Sequence, residues 1–176
     1  RDLNQLKEYQ KIYLLENLCS DVRKSSISLF ISELLYKTVR ESEENPELFR
    51  FVTNTILALD RAGTELADLH LHFAVHLCRY LGYAPDVESY SEDRKYFHIG
   101  KACFCDTPDL LPGAFDKEDS LLLGQILSCP AEKTSPLSCS GSRRHHFLNS
   151  LISYYSYHLG KTPEIRSLDV LHQVFL

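Results

Sequence analysis

His72 and His76 sit four residues apart, the spacing at which two imidazoles on one helical face can hold a zinc ion. A hydrolytic site of that kind also needs a glutamate directly after the first histidine, and Phe73 stands there. His70 adds a third imidazole on a neighbouring face. We read all three as histidines on a helix surface or at a packing edge. Cys103-Phe104-Cys105 offers a second set of donors, because alternate residues of a strand point to one side. A structural zinc site takes four ligands, usually as two close pairs. No second pair lies nearby in sequence, although Cys129, Cys139 or His98 could approach in space. Cys103 and Cys105 are therefore a weak metal alternative, and no cofactor is expected. Arg143-Arg144-His145-His146 opens a helix with cations, against the helix dipole. That conflict points to an acidic or phosphate-bearing partner, or to a solvated first turn. Lys161 and Arg166, in the turn that follows, extend the same basic set. The glycines are scattered and cradle no phosphate, and no nucleophile elbow is present. No residue is assigned a catalytic role.

Composition narrows the field further. Hydrophobic residues make up 44% and charged residues 24% of 176, which suits one packed domain. A net charge of -5 disfavours nucleic-acid binding as the main task of this piece, since phosphate neutralisation supplies much of that affinity. The six cysteines read as reduced thiols of a cytoplasmic protein. No run is long and apolar enough to span a bilayer, so no membrane partner is expected. The chain opens on Arg1, so its start is expected to lie downstream of the translation start.

Helices must position these groups. Asp21 caps a long helix with Ile27, Phe30, Ile31, Leu34 and Leu35 at spacings of three and four. Asn45-Pro46 starts a second, with Leu48, Val52, Thr55, Ile56 and Leu59 facing in and Gly63 ending it. A third runs from near Thr64 to Leu81-Gly82, with a stripe of Leu66, Leu69, Phe73, Leu77, Tyr80 and Leu81. Residues 86–115 change character and predict a small β-hairpin or irregular insertion around Gly100. Helices follow at 117–128 and about 143–159, and Ser167 is expected to cap a last one. The fold class predicted is an all-α helical bundle with that insertion.

Four segments resemble the C-terminal helical part of the RecO family of DNA recombination and repair proteins. LNQLKE is similar to the exit from the family's N-terminal OB-fold, and DVRKSSISLFISELLYKTV to its first long helix. FAVHLCRYLGYAPD and YYSYHLGKTPEIRSLDVLHQVF complete the match in the same order. The resemblance implies that residues 1–10 are the remnant of, or linker from, that OB-fold, and that 11–176 are the helical domain. It implies a non-enzymatic recombination mediator of the RecF pathway, active in DNA damage repair. Such a protein acts with a RecR-like partner, helps load the RecA recombinase onto single-stranded DNA coated by single-strand-binding protein, and assists annealing. Single-stranded DNA contact is expected mainly through the OB-fold. The helical part is expected to receive the acidic, apolar C-terminal tail of the single-strand-binding protein in a hydrophobic groove rimmed by cations. Arg143, Arg144, Lys161 and Arg166 are the rim or DNA-contact candidates. Many family members carry a four-cysteine zinc site after the Leu-Gly-x-x-Pro stretch, whereas only Cys103 and Cys105 stand there in this chain. The location implied is the bacterial cytoplasm, at the nucleoid. Two rival readings remain: a helical protein–protein adaptor unrelated to repair, and a metal-dependent helical enzyme using His72, His76 and the cysteines.

Overall fold

The computed structural model describes residues 12–39, 44–63, 66–91, 93–131 and 133–175. The segment 1–10 lies outside them, as does Thr64. Local capping explains most helix starts. Asp21 accepts the Arg23 N–H at 2.8 Å before α1 (Val22–Thr38). Asn45 accepts the Leu48 N–H at 2.9 Å before α2 (Pro46–Arg61), with Pro46 where no N–H is needed. Asp116 accepts the Asp119 N–H at 2.8 Å before α4 (Lys117–Leu127). Ser140 accepts the Arg143 N–H at 3.2 Å, so α5 (Gly141–Leu159) begins earlier than the hydrophobic pattern suggests. Gly160, at φ +65°, ends α5 in the left-handed conformation that glycine adopts without a steric penalty.

Three helices depart from expectation in what they bury or how they are capped. α3 (Leu69–Tyr80) is buried almost all round rather than along one stripe. It packs against α1, α2, α4 and α5, so nearly every side chain it carries meets another element. α6 (Ser167–Val174) is not capped by the Ser167 hydroxyl. Glu33 of α1 supplies the cap from across the bundle: its carboxylate accepts the Arg166 N–H at 3.0 Å, the Ser167 N–H at 2.8 Å and the Ser167 hydroxyl at 2.6 Å. The α2 stripe also turns. Leu48, Phe51 and Leu59 are buried, while Val52, Thr55 and Ile56 are only half-buried.

The insertion holds an antiparallel pair, β1 (Tyr96–His98) and β2 (Cys103–Cys105), in the register Tyr96↔Cys105, Phe97↔Phe104, His98↔Cys103. Phe97 and Phe104 turn inward, with ring centroids 5.2 Å apart. Phe97 also packs edge-on against Phe115 of the approach to α4 and Tyr154 of α5. A two-stranded sheet leaves edge amides unpaired, and serine hydroxyls take two of them here. Ser120 accepts the Phe97 N–H and Ser89 accepts the Phe104 N–H, each at 2.8 Å. The result is a helical bundle with a small hairpin, as the sequence pattern predicts. Among the described residues, no helix is long and apolar enough to cross a membrane.

Candidate functional site

The histidine readings change first. His70 and His72 are 2% exposed, so they are core residues and not surface ones. Their helix is the hub of the bundle, and these two polar positions are buried with its apolar ones. The Nε2–H of His72 donates to the Ser135 carbonyl at 3.1 Å, which ties the loop after α4 to α3. His70 stacks on Phe175 and meets Phe30 edge-on. Burial, then the nearby charges of Arg144 and His72, lower its pKa to about 3, so it is neutral. Among the described residues, one acid–histidine trio could gather round a cation: Asp116, Asp119 and His146. The Arg143 guanidinium already lies against both carboxylates.

The basic cluster at the start of α5 is matched inside the fold. Arg143 binds Asp116 and Asp119, and its Nη1 lies 3.2 Å from Glu118. Asp119 has no exposed surface and also accepts the His146 Nδ1–H at 2.9 Å and the Ser150 hydroxyl at 2.6 Å. Burial alone would raise the Asp116 carboxyl, but its bonds to Arg143 and to the Asp119 N–H hold it below the usual carboxylate range. Arg144 reaches Asp68 at 2.7 Å, and the second oxygen of Asp68 takes the Leu137 N–H at 2.8 Å. The basic start of α5 is therefore matched by the acidic start of α4 at Arg143 and by Asp68, before α3, at Arg144. Lys161 and Arg166 are exposed beyond the other end of α5. At about 1.5 Å per residue, Arg143 and the helix end lie roughly 24 Å apart, so the four cations do not form one patch.

A groove of about 330 Å³ between α2 and α3 has the features expected at the α5 end. Its floor is aromatic: Phe51 stacks on Phe73 at 5.2 Å and on Tyr80 at 4.8 Å. Leu69, Ala58 and Ala62 widen the apolar wall, and Ala131 and Thr134 close it from the loop that His72 holds. Exposed Arg50 and Arg79 stand on its rim, with Glu47 and Asn54 beside them. Sequence reasoning missed both arginines. The available signal was an arginine directly before an aromatic residue, Arg50-Phe51 and Arg79-Tyr80, where the apolar face of a helix meets its polar one.

The family model described as Recombination protein O C terminal matches residues 19–168. The chain belongs to the RecO family. It is 33% identical to the DNA repair protein RecO of Phocaeicola vulgatus, over 99% of this chain and 72% of that one. It is 31% identical to the DNA repair protein RecO of Bacteroides fragilis over 98% of this chain and 72% of the relative, and 28% identical to that of Flavobacterium psychrophilum over 98% and 71%. No solved structure matches the chain. In this RecO-family chain the hairpin follows the Leu81-Gly82 end of α3, where many members of the family are expected to carry zinc. Cys103 and Cys105 share a face of β2 with their sulfurs 3.8 Å apart. Among the described residues neither belongs to a group of three donors, so the set does not fit a four-ligand zinc site.

Proposed function

We propose that this RecO-family chain is the helical docking part of a non-enzymatic recombination mediator, and that the groove between α2 and α3 receives the acidic, apolar C-terminal tail of the single-strand-binding protein. The groove carries the reading: an aromatic floor for apolar side chains, with two arginines on its rim for carboxylates. In this role the protein acts with a RecR-like partner in the bacterial cytoplasm, at the nucleoid. It helps load the RecA recombinase onto coated single-stranded DNA and assists annealing. Residues 1–10 are the exit from an N-terminal OB-fold, which makes the main contact with single-stranded DNA, and 11–176 are the docking domain. Lys161 and Arg166 form a second cationic contact for the partner or for DNA. Arg143 and Arg144 share that role through the small part of each side chain left exposed, 18% and 16%.

Anisotropy of a fluorescent peptide carrying that tail tests the groove. Arg50→Glu with Arg79→Glu should weaken binding at least tenfold at low salt, because attraction becomes repulsion at the rim. Lys161→Glu with Arg166→Glu should weaken it less. Unchanged affinity in the Arg50 and Arg79 double variant, with its helical content intact, would remove the groove from the reading. A loss confined to the Lys161 and Arg166 variant would move the tail to the far end of α5.

A further inference from the structure

We propose that Cys103 and Cys105 are a redox pair that closes reversibly to a disulfide and, in closing, loosens the hairpin. Their sulfurs are 3.8 Å apart, near van der Waals contact, on one face of a three-residue strand. Both side chains are half-exposed, so a small reagent reaches them. The other four thiols are placed differently: Cys78 is buried, Cys129 lies against the Ser135 hydroxyl, Cys139 is half-buried, and Cys19 is exposed. Among the described residues, no other two sulfurs lie in hydrogen-bonding contact.

The oxidant is a small-molecule disulfide. One cysteine thiolate attacks its S–S bond, forming a mixed disulfide and expelling one reagent thiolate. The second cysteine thiolate attacks the protein sulfur of that mixed disulfide and expels the other half. The pair loses two protons and two electrons, and the reagent takes them up and leaves as two thiols. Closing the sulfurs to about 2.05 Å draws in the two ends of β2. A bridge between positions i and i+2 of a strand is strained, and strained bridges are easily reduced. Ala102, at φ +52° just before the strand, and the short length of β2 leave little regular pairing to resist. The partners in register with the cysteines are His98 and Tyr96, and Phe104 between them is held by Phe97 and Tyr90. Oxidation therefore acts on that aromatic contact.

Trypsin releases both cysteines, and no others, in the peptide from Ala102 to Lys117. The protein is treated with glutathione disulfide, its remaining thiols are alkylated in denaturant, and the digest is weighed. The expected peptide has lost two hydrogens, carries no alkyl group, and returns to the dithiol on reduction. Hydrogen exchange at Phe97 and Phe104 should quicken at least tenfold in the oxidised protein. Cys103→Ser should instead give a glutathione adduct on Cys105. If that variant does not fold, the wild-type peptide decides alone. A wild-type peptide bearing two alkyl groups or two glutathiones, under conditions that modify exposed Cys19, would overturn the pair. A closed bridge with unchanged exchange would overturn its effect on the hairpin.

Discussion

Replacing Asp119 by alanine tests whether the junction of α4 and α5 is held by charge. Asp119 has no exposed surface, and its two oxygens take Arg143, His146 and Ser150. Removing one partner of a buried ion pair costs about 3–5 kcal/mol, because the other charge loses its compensation. Here Arg143 keeps Asp116 and Glu118, and 18% of its side chain is exposed, which pulls the figure down. Ser150 pushes it up, because a buried hydroxyl without an acceptor costs about 1–3 kcal/mol. The expected loss is about 3–4 kcal/mol. At about 2–4 °C per kcal/mol for a chain of this size, Tm falls by roughly 6–16 °C. Urea unfolding of Asp119→Ala, Arg143→Met and the double variant gives the coupling between the two, expected at about 1–3 kcal/mol. A loss below about 1 kcal/mol for Asp119→Ala, the range of exposed pairs, would refute the reasoning. It would also return Arg143 to the pool of cations free for a partner.

Three further outcomes follow from the packing. Glu33→Ala should cost about 1 kcal/mol by urea unfolding, as for loss of a helix cap, and α6 amides should exchange faster. The same contacts hold the Glu33 carboxyl below its ordinary value of 4.5 even though burial alone would raise it, so their stabilisation is present above that pH and is lost as pH falls through the lower folded value. His70 acts in the same sense over a higher range: the folded state excludes its proton down to about pH 3, so stability falls from about pH 6.5 downward. Between pH 8 and pH 5 that term is about 2 kcal/mol, and His70→Phe should flatten the decline measured by urea unfolding. Gly124→Ala should destabilise despite the better helix propensity of alanine, because the new methyl would lie 2.3 Å from the Tyr90 ring. A Tm at or above wild type would mean that Tyr90 moves aside freely.

Helix boundaries were legible where they are local. Asp21, Asn45-Pro46 and Leu81-Gly82 act through neighbours a few residues away, so a short window holds the whole cause. The cap of α6 was not legible, because Ser167 suggests itself while Glu33, 134 positions earlier, supplies the carboxylate. The burial of α3 was hidden for a related reason. Its histidines interrupt the apolar pattern, and only the assembly of four helices round it shows that His70 and His72 are buried. The hairpin was readable as alternation around Gly100, but the inward turn of Phe97 and Phe104 depends on Phe115 and Tyr154, which lie elsewhere in the chain.

The same distinction governs the cations. In a chain of net charge -5, a cation is available to a partner according to the carboxylate nearest to it in space, not to how densely basic residues cluster in sequence. Arg143-Arg144 is the densest basic pair in the candidate set, and both members are bound by Asp116, Glu118, Asp119 and Asp68. Replacing either one removes a structural bond as well as a charge, so lost binding in such a variant does not distinguish a contact from a loosened packing of α5 on α4 or on the start of α3. Arg50 and Arg79 stand alone in sequence, yet both are exposed at the rim of one aromatic groove. Their reversal leaves those buried carboxylates and their partners intact. Binding lost there, with unfolding by urea unchanged, can therefore be assigned to the groove itself.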